Sequence, residues 1–115
     1  MVTDRDESRL KGVNLQPESL LFQKSYFESI VENFPDGVVI FDRDGIVTRV
    51  NAAFIDIFGY SSSESIGKDI AELLAPPEKR EEALQIRYEL RQGNHVSGKT
   101  VRRRKDGNDI HVALN

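Results

Sequence analysis

The sequence has no cysteine and no tryptophan, one methionine and two histidines among 115 residues. Without cysteine there is no disulfide, no thiolate zinc site and no thiol nucleophile. That fits a reducing compartment, and the expected location is the cytoplasm. The two histidines, His95 and His111, are isolated in sequence and form no catalytic or metal-binding constellation. The acidic pair Glu81 and Glu82 lies in a highly charged segment, where exposed ion pairing is the default. The chain is therefore expected to have no enzymatic activity of its own. No apolar run approaches the roughly 20 residues that span a bilayer, and the start, MVTDRDESRLKG, lacks the apolar segment of a secretory signal. Charge is also nearly balanced: 16 basic against 19 acidic residues give −3. Such a chain is not drawn to nucleic acid or to an anionic membrane. The basic run Arg102 to Lys105 stands beside Asp106 and Asp109 and reads as a solvated hairpin tip.

What is present suits one domain with one core: 38% hydrophobic and 30% charged residues. Met1 to about Leu15 is polar and unpatterned. From Gln16 the segment QPESLLFQKSYFESIVENF predicts a helix. Pro17 suits its first position and Glu18 the positive end of its dipole. Leu20, Phe27, Ile30 and Phe34 form an apolar stripe, and Pro35 stops the helix. The next stretch, GVVIFDRDGIVTRVNAAF, reads as a hairpin: strands Gly37–Asp42 and Ile46–Asn51 around the turn Asp42 to Gly45. Both faces of its first strand are apolar, so cover on both sides is expected.

Asn51 is placed to cap a helix over AAFIDIF, with Gly59 as its left-handed stop. Ser61 and Glu64 have capping-box spacing. IGKDIAELLAP predicts a further short helix. Pro77 opens a longer one over EKREEALQIRYELRQ that Gly93 ends. HVSGKTVRRR and NDIHVALN alternate as two more strands around KDG. Helix, two strands, a cluster of helices and two strands give an α+β fold with an antiparallel sheet.

In this order and spacing, FPDGVVIFDRDGIVTRVNAAF, FGYSSSESIGKDI and RRKDG resemble the PAS domain family. The resemblance runs from about Tyr26 to Asn115. It divides the chain into residues 1–25, an N-terminal extension with the start of a flanking helix, and residues 26–115, the domain. It implies an antiparallel sheet with helices over one face and a small pocket between them. It also implies a sensory or dimerisation module of a larger signal-transduction protein, such as a two-component system. Any catalytic output domain, a histidine kinase or cyclase for example, then lies outside this chain. The family's final, central strand has no counterpart before Asn115. Its place is expected to be filled by strand exchange with a second copy or by the N-terminal extension.

The resemblance also sets the candidate site. Val39 and Phe41, with Ile46, Thr48 and Val50, match strand positions that face inward. Phe54, Ile57, Phe58, Ile70, Leu73, Leu84 and Tyr88 are helical lining candidates. Thr48, Thr100 and Tyr88 supply the only obvious polar groups. Haem sensors of the family use a histidine on the long helix, where this chain has Glu82 or a neighbour, so haem held in that way is disfavoured. Chromophores linked through cysteine are excluded. The cofactor stays unknown, and a small-molecule ligand and a ligand-free scaffold remain the two alternatives. Leu20, Phe27, Ile30 and Phe34 are the candidate dimer contacts, with folding back over Val38 and Ile40 as the competing use of that stripe.

Overall fold

The computed structural model describes residues 20–115. Pro17 and Glu18, expected to open the first helix, lie outside them. Helix α1 (Leu20–Asn33) ends one residue before Phe34-Pro35, as the restriction on residues preceding proline requires. Its C-terminal half is docked: Val31 is buried, and Glu28 Oε1 meets Arg49 Nη2 at 3.1 Å. Its N-terminal half leaves Leu20 and Leu21 78% and 76% exposed.

Strands β1 (Val39–Phe41) and β2 (Val47–Val50) form an antiparallel hairpin. Asp42 shapes the turn, its Oδ1 accepting from the amides of Asp44 (2.9 Å) and Ile46 (3.1 Å). Gly45 sits there at φ +80°, a region closed to most side chains. The pairing runs Val39 to Val50, Ile40 to Arg49 and Phe41 to Val47, with a register shift that leaves Thr48 unpaired. This bulge corrects the expected alternation. Val47 and Val50 point into the core, whereas Thr48 is exposed and its hydroxyl donates to Ile40 O at 3.2 Å. Arg49, opposite Ile40, belongs to the outer face, so its ion pair places α1 on that side of the hairpin.

Local chemistry sets the helical cluster. In α2 (Ala52–Phe58), Asn51 Oδ1 accepts from Phe54 N–H, and Gly59 closes the helix at φ 83°. Ser61 and Glu64 make a reciprocal capping box on α3 (Ser62–Ser65). Asp69 caps α4 (Ile70–Leu74) by accepting from Ala71 and Glu72 N–H. Pro77 opens a 3₁₀ turn (Pro77–Lys79) that leads into α5 (Arg80–Arg91). Strands β3 (Gly98–Arg103) and β4 (Asp109–Leu114) then pair from Gly98–Leu114 to Arg103–Asp109.

Val47, Val50, Phe54, Phe58 and Leu74 form the buried core, with Val39, Leu73, Ile110 and Val112 packed around them. The Phe54 and Phe58 rings lie 4.9 Å apart at a tilted angle. Burying each such side chain stabilises the fold by roughly 1.5–3 kcal/mol.

The two hairpins are separate two-stranded sheets among the described residues. The outer edge of β2 is covered: Val47 N–H donates to Lys68 O and Gly67 N–H to Val47 O. The other edge of the hairpin, on β1, is not paired with β4. Val38 and Asp42 turn their backbone groups toward β2 (Asn51 N to Val38 O, 3.2 Å; Asp42 N to Ile46 O, 2.9 Å). Antiparallel alternation therefore turns those of Val39 and Phe41 away from it. On β4, the bond from Arg104 N to Asn108 O fixes the phase: Ile110, Val112 and Leu114 serve β3, and His111 and Ala113 face away. The second hairpin is anchored instead at its tip, by Lys105 N–H to Phe58 O (2.9 Å) and by Lys105 Nζ to Glu64 Oε2 (2.5 Å).

Candidate functional site

A cavity of about 350 Å³ opens between the inner faces of the two hairpins and the helices. Val39 and Phe41 of β1, Phe54 and Phe58 of α2, Ile70 and Leu74 of α4, Ile86 and Leu90 of α5, and Val112 of β4 supply its apolar wall. The space is partly open to solvent rather than sealed in the interior. It reaches the region between the unpaired edges, where Val38 and Val39 stand on one side and Ala113, Leu114 and Asn115 on the other.

Of the residues singled out from sequence, Val39, Phe41, Phe54, Ile57, Phe58 and Ile70 border this space. Ile46, Thr48, Val50, Leu73, Leu84, Tyr88 and Thr100 do not. Thr48 is turned out by the bulge. Val50 is in the solid core, and Leu73 packs on that core. Leu84 and Tyr88 are exposed on the outer side of α5, whose inner stripe is Ala83, Ile86, Arg87 and Leu90. Thr100 is buried but occupied: its hydroxyl donates to Glu82 Oε1 at 2.5 Å. The dimer candidates divide. Ile30 and Phe34 are half-buried, whereas Leu20 and Phe27 (51%) are exposed. His95 and His111 are both exposed.

Two arginines in the wall went unrecognised in the sequence. Arg87 Nη2 donates to Asp69 Oδ1 at 2.7 Å, while its Nε is buried without a hydrogen-bond partner. Its guanidinium lies against Gly45, where an added Cβ would stand 2.3 Å from Cζ. Arg102 is buried, and its Nη1 donates to Glu82 Oε1 (3.0 Å), Thr100 Oγ1 (3.2 Å) and Val101 O (2.9 Å). Alternation from the inward Thr100 carried a usable signal for Arg102. Arg87 had none, because its partners Asp69 and Gly45 are remote in sequence.

The carboxylates behind these arginines stay ionised. Partial burial acts to raise the Asp69 pKa, but Arg87 and the amides of Ala71 and Glu72 outweigh it and hold it below the ordinary carboxylate value. The Thr100 hydroxyl, with Arg102 and against some desolvation, lowers that of Glu82. At the hairpin tip the Lys105 bond, helped by Ser61, brings Glu64 down to about 2. Each cation of the Arg102–Lys105 run meets a carboxylate: Arg102 with Glu82, Arg103 with Asp109, Arg104 with Asp106 and Lys105 with Glu64. No group of three or more potential metal ligands is found among the described residues, and no described helix is long and apolar enough to cross a membrane.

Comparison with known proteins follows this architecture. The sensor protein FixL of Bradyrhizobium diazoefficiens is 26% identical over 100 residues, covering 84% of this chain and 20% of its own length. The chain thus spans about a fifth of that relative. A domain of the sensory box sensor histidine kinase/response regulator from Geobacter sulfurreducens superposes with a TM-score of 0.72 at 22% identity, covering 85% of each chain. The PAS domain of the HTR-like protein from Haloarcula marismortui is 28% identical with a TM-score of 0.54, covering 82% of each. The PAS fold profile matches residues 25–115, and with the two hairpins, the helical cluster and the cavity between them in place, the chain belongs to the PAS family.

Proposed function

We propose that this PAS domain is the sensory module of a larger cytoplasmic signal-transduction protein, one that binds a small molecule in its core and relays that state to an output domain. The cavity of about 350 Å³ is the observation that carries this reading, since it has the size of small ligand sites and a mostly apolar wall with few polar groups. The bonds of Asn51 support a route from the cavity to an output. Asn51 bonds the C-terminal end of α1 and, through Phe54, the cavity wall. A ligand that pushes on Phe54 biases where α1 sits. Any catalytic step belongs to the output domain.

The second reading is a ligand-free dimerisation scaffold, and the exposed Leu20, Leu21 and Phe27 favour the dimeric part of it. The two readings are compatible if Leu20 and Phe27 join two copies while Ile30 and Phe34 stay on the domain. We further propose that residues 26–115 lack the central strand of the fold. An extended segment pairs with Val39 and Phe41 on one side and with His111 and Ala113 on the other. A second copy supplies it by strand exchange, or the N-terminal extension does.

Native mass spectrometry of the freshly purified chain, followed by denaturation of the same sample, tests the main reading. Extra mass that leaves on denaturation is the expected result. A dimer without added mass would favour the scaffold. Phe27→Glu is expected to give monomers by light scattering, and an unchanged oligomer would remove that helix from the interface.

A further inference from the structure

The cavity wall has a sign. Among its side chains the charged ones are Arg87 and Arg102, and no side-chain carboxylate borders the space. The acidic partners stand behind: Asp69 takes Arg87 Nη2, and Glu82 takes Arg102 Nη1. A ligand in the cavity therefore meets guanidinium groups before it meets the charges that balance them. At this range in a protein interior, attraction to the nearer charge exceeds repulsion from the farther one. A cationic ligand is disfavoured by the same arrangement.

Arg87 goes further than setting a sign. A guanidinium has five N–H donors. Asp69 Oδ1 engages Nη2, and Nε is buried without an acceptor. Nε lies against Gly45 and out of reach of solvent, but the side chain keeps 16% of its surface exposed, and a purely apolar ligand would cover that remainder without returning an acceptor. A carboxylate supplies acceptors that suit the planar fork, in bonds about twice as strong as those between neutral groups. The rest of the wall, built on Phe41, Phe54, Phe58, Ile86 and Leu90, calls for a hydrocarbon body. At about 30 Å³ per non-hydrogen atom, as in liquid water, the cavity of about 350 Å³ admits at most about a dozen such atoms, and fewer once a strand between β1 and β4 takes its share. Both arginines stand on α5 and β3, so a strand added between β1 and β4 leaves them in place.

The geometry points to a small monocarboxylic acid with an apolar body as the ligand class, its carboxylate read by Arg87. Arg102 holds Glu82 outside the lining, so that the side chains of the wall carry no negative charge. This inference rests on the reading of the cavity as a ligand site. Three probes that share one body separate the two: octanoate, 1-octanol and octylammonium, each titrated into ¹⁵N-labelled protein and followed by amide shifts. Octanoate is expected to shift Phe54, Ile86 and Val112 and to bind at least about tenfold more tightly than octanol, with octylammonium weakest. Arg87→Gln should erase that preference while octanol still binds. The comparison on the unaltered protein stands whether or not that variant folds. Octanol binding as tightly as octanoate would overturn the acid class and leave the cavity reading intact. No shift of the lining amides with any probe would overturn both.

Discussion

Asn51→Ala removes a side chain that is 0% exposed and makes five hydrogen bonds. Its Oδ1 accepts from Val38 N–H (2.8 Å) and Phe54 N–H (3.0 Å). Its Nδ2 donates to Val31 O (3.0 Å), Phe34 O (3.3 Å) and Asp36 O (2.9 Å). One residue thus joins the end of α1, the start of β1 and the first turn of α2. Alanine strands two amides in the interior, each at about 1–3 kcal/mol, and also removes a helix cap worth about 1 kcal/mol. Allowing water to satisfy one group, the expected loss is about 3–5 kcal/mol, a large share of the 5–15 kcal/mol typical of a domain. Urea unfolding followed by circular dichroism measures it. Asn51→Asp sharpens the test, because it keeps the oxygen that accepts both amide bonds but turns a second acceptor toward three carbonyls. It should retain the α2 cap and release α1, seen as faster amide exchange confined to residues 24–33. A loss below about 1 kcal/mol for Asn51→Ala would refute the assignment of Asn51 as the joint of these three segments.

Gly45→Ala forces a side chain into left-handed backbone, at about 1–2 kcal/mol, and drives its Cβ into the Arg87 guanidinium. It should unfold at lower urea and lose the Arg87–Asp69 pairing, and a variant as stable as the parent would contradict that packing. The bond from Lys105 brings the Glu64 carboxyl from its ordinary value of 4.5 down to about 2 in the folded chain. Its contribution to stability is therefore complete above about pH 4.5 and is lost as pH falls toward 2. Lys105→Met should flatten the stability profile across that window, as measured by thermal melts in a pH series, and an unchanged slope would assign the acid sensitivity to other carboxylates.

The parts of the fold that were legible in the sequence are the local ones. Gly59, the Ser61–Glu64 pair, Gly93 and the α2 cap of Asn51 act within four residues of themselves, so spacing alone finds them, whereas the bonds of Asn51 to Val31, Phe34, Asp36 and Val38 are long-range and were not legible. The bulge at Thr48 was not legible. Nothing local distinguishes VTRV with a slipped register from VTRV without one, and a single slip reverses which residue faces the core. The long helix failed in a related way. Leu84 and Tyr88 are apolar enough to be read as lining, but α5 is rotated so that Arg87 turns inward. That orientation depends on Asp69 and on the bare backbone of Gly45, which the fold brings together from 18 and 42 positions away. Charged residues between apolar ones read as solvent-facing until their partners are known, and both cavity arginines were missed for that reason.

The unpaired edges of β1 and β4 set up a competition with a definite concentration scale. Whatever strand completes this sheet meets the same row of donors and acceptors whether it is tethered or free. A tethered segment acts at an effective concentration in the millimolar range. The same segment on another molecule matches it only when the molecules themselves are that crowded, as the proposed pairing of two copies through α1 would make them. Joining two copies at one end of the domain would therefore change which chain closes the sheet at the other, with no new contact made between the two places.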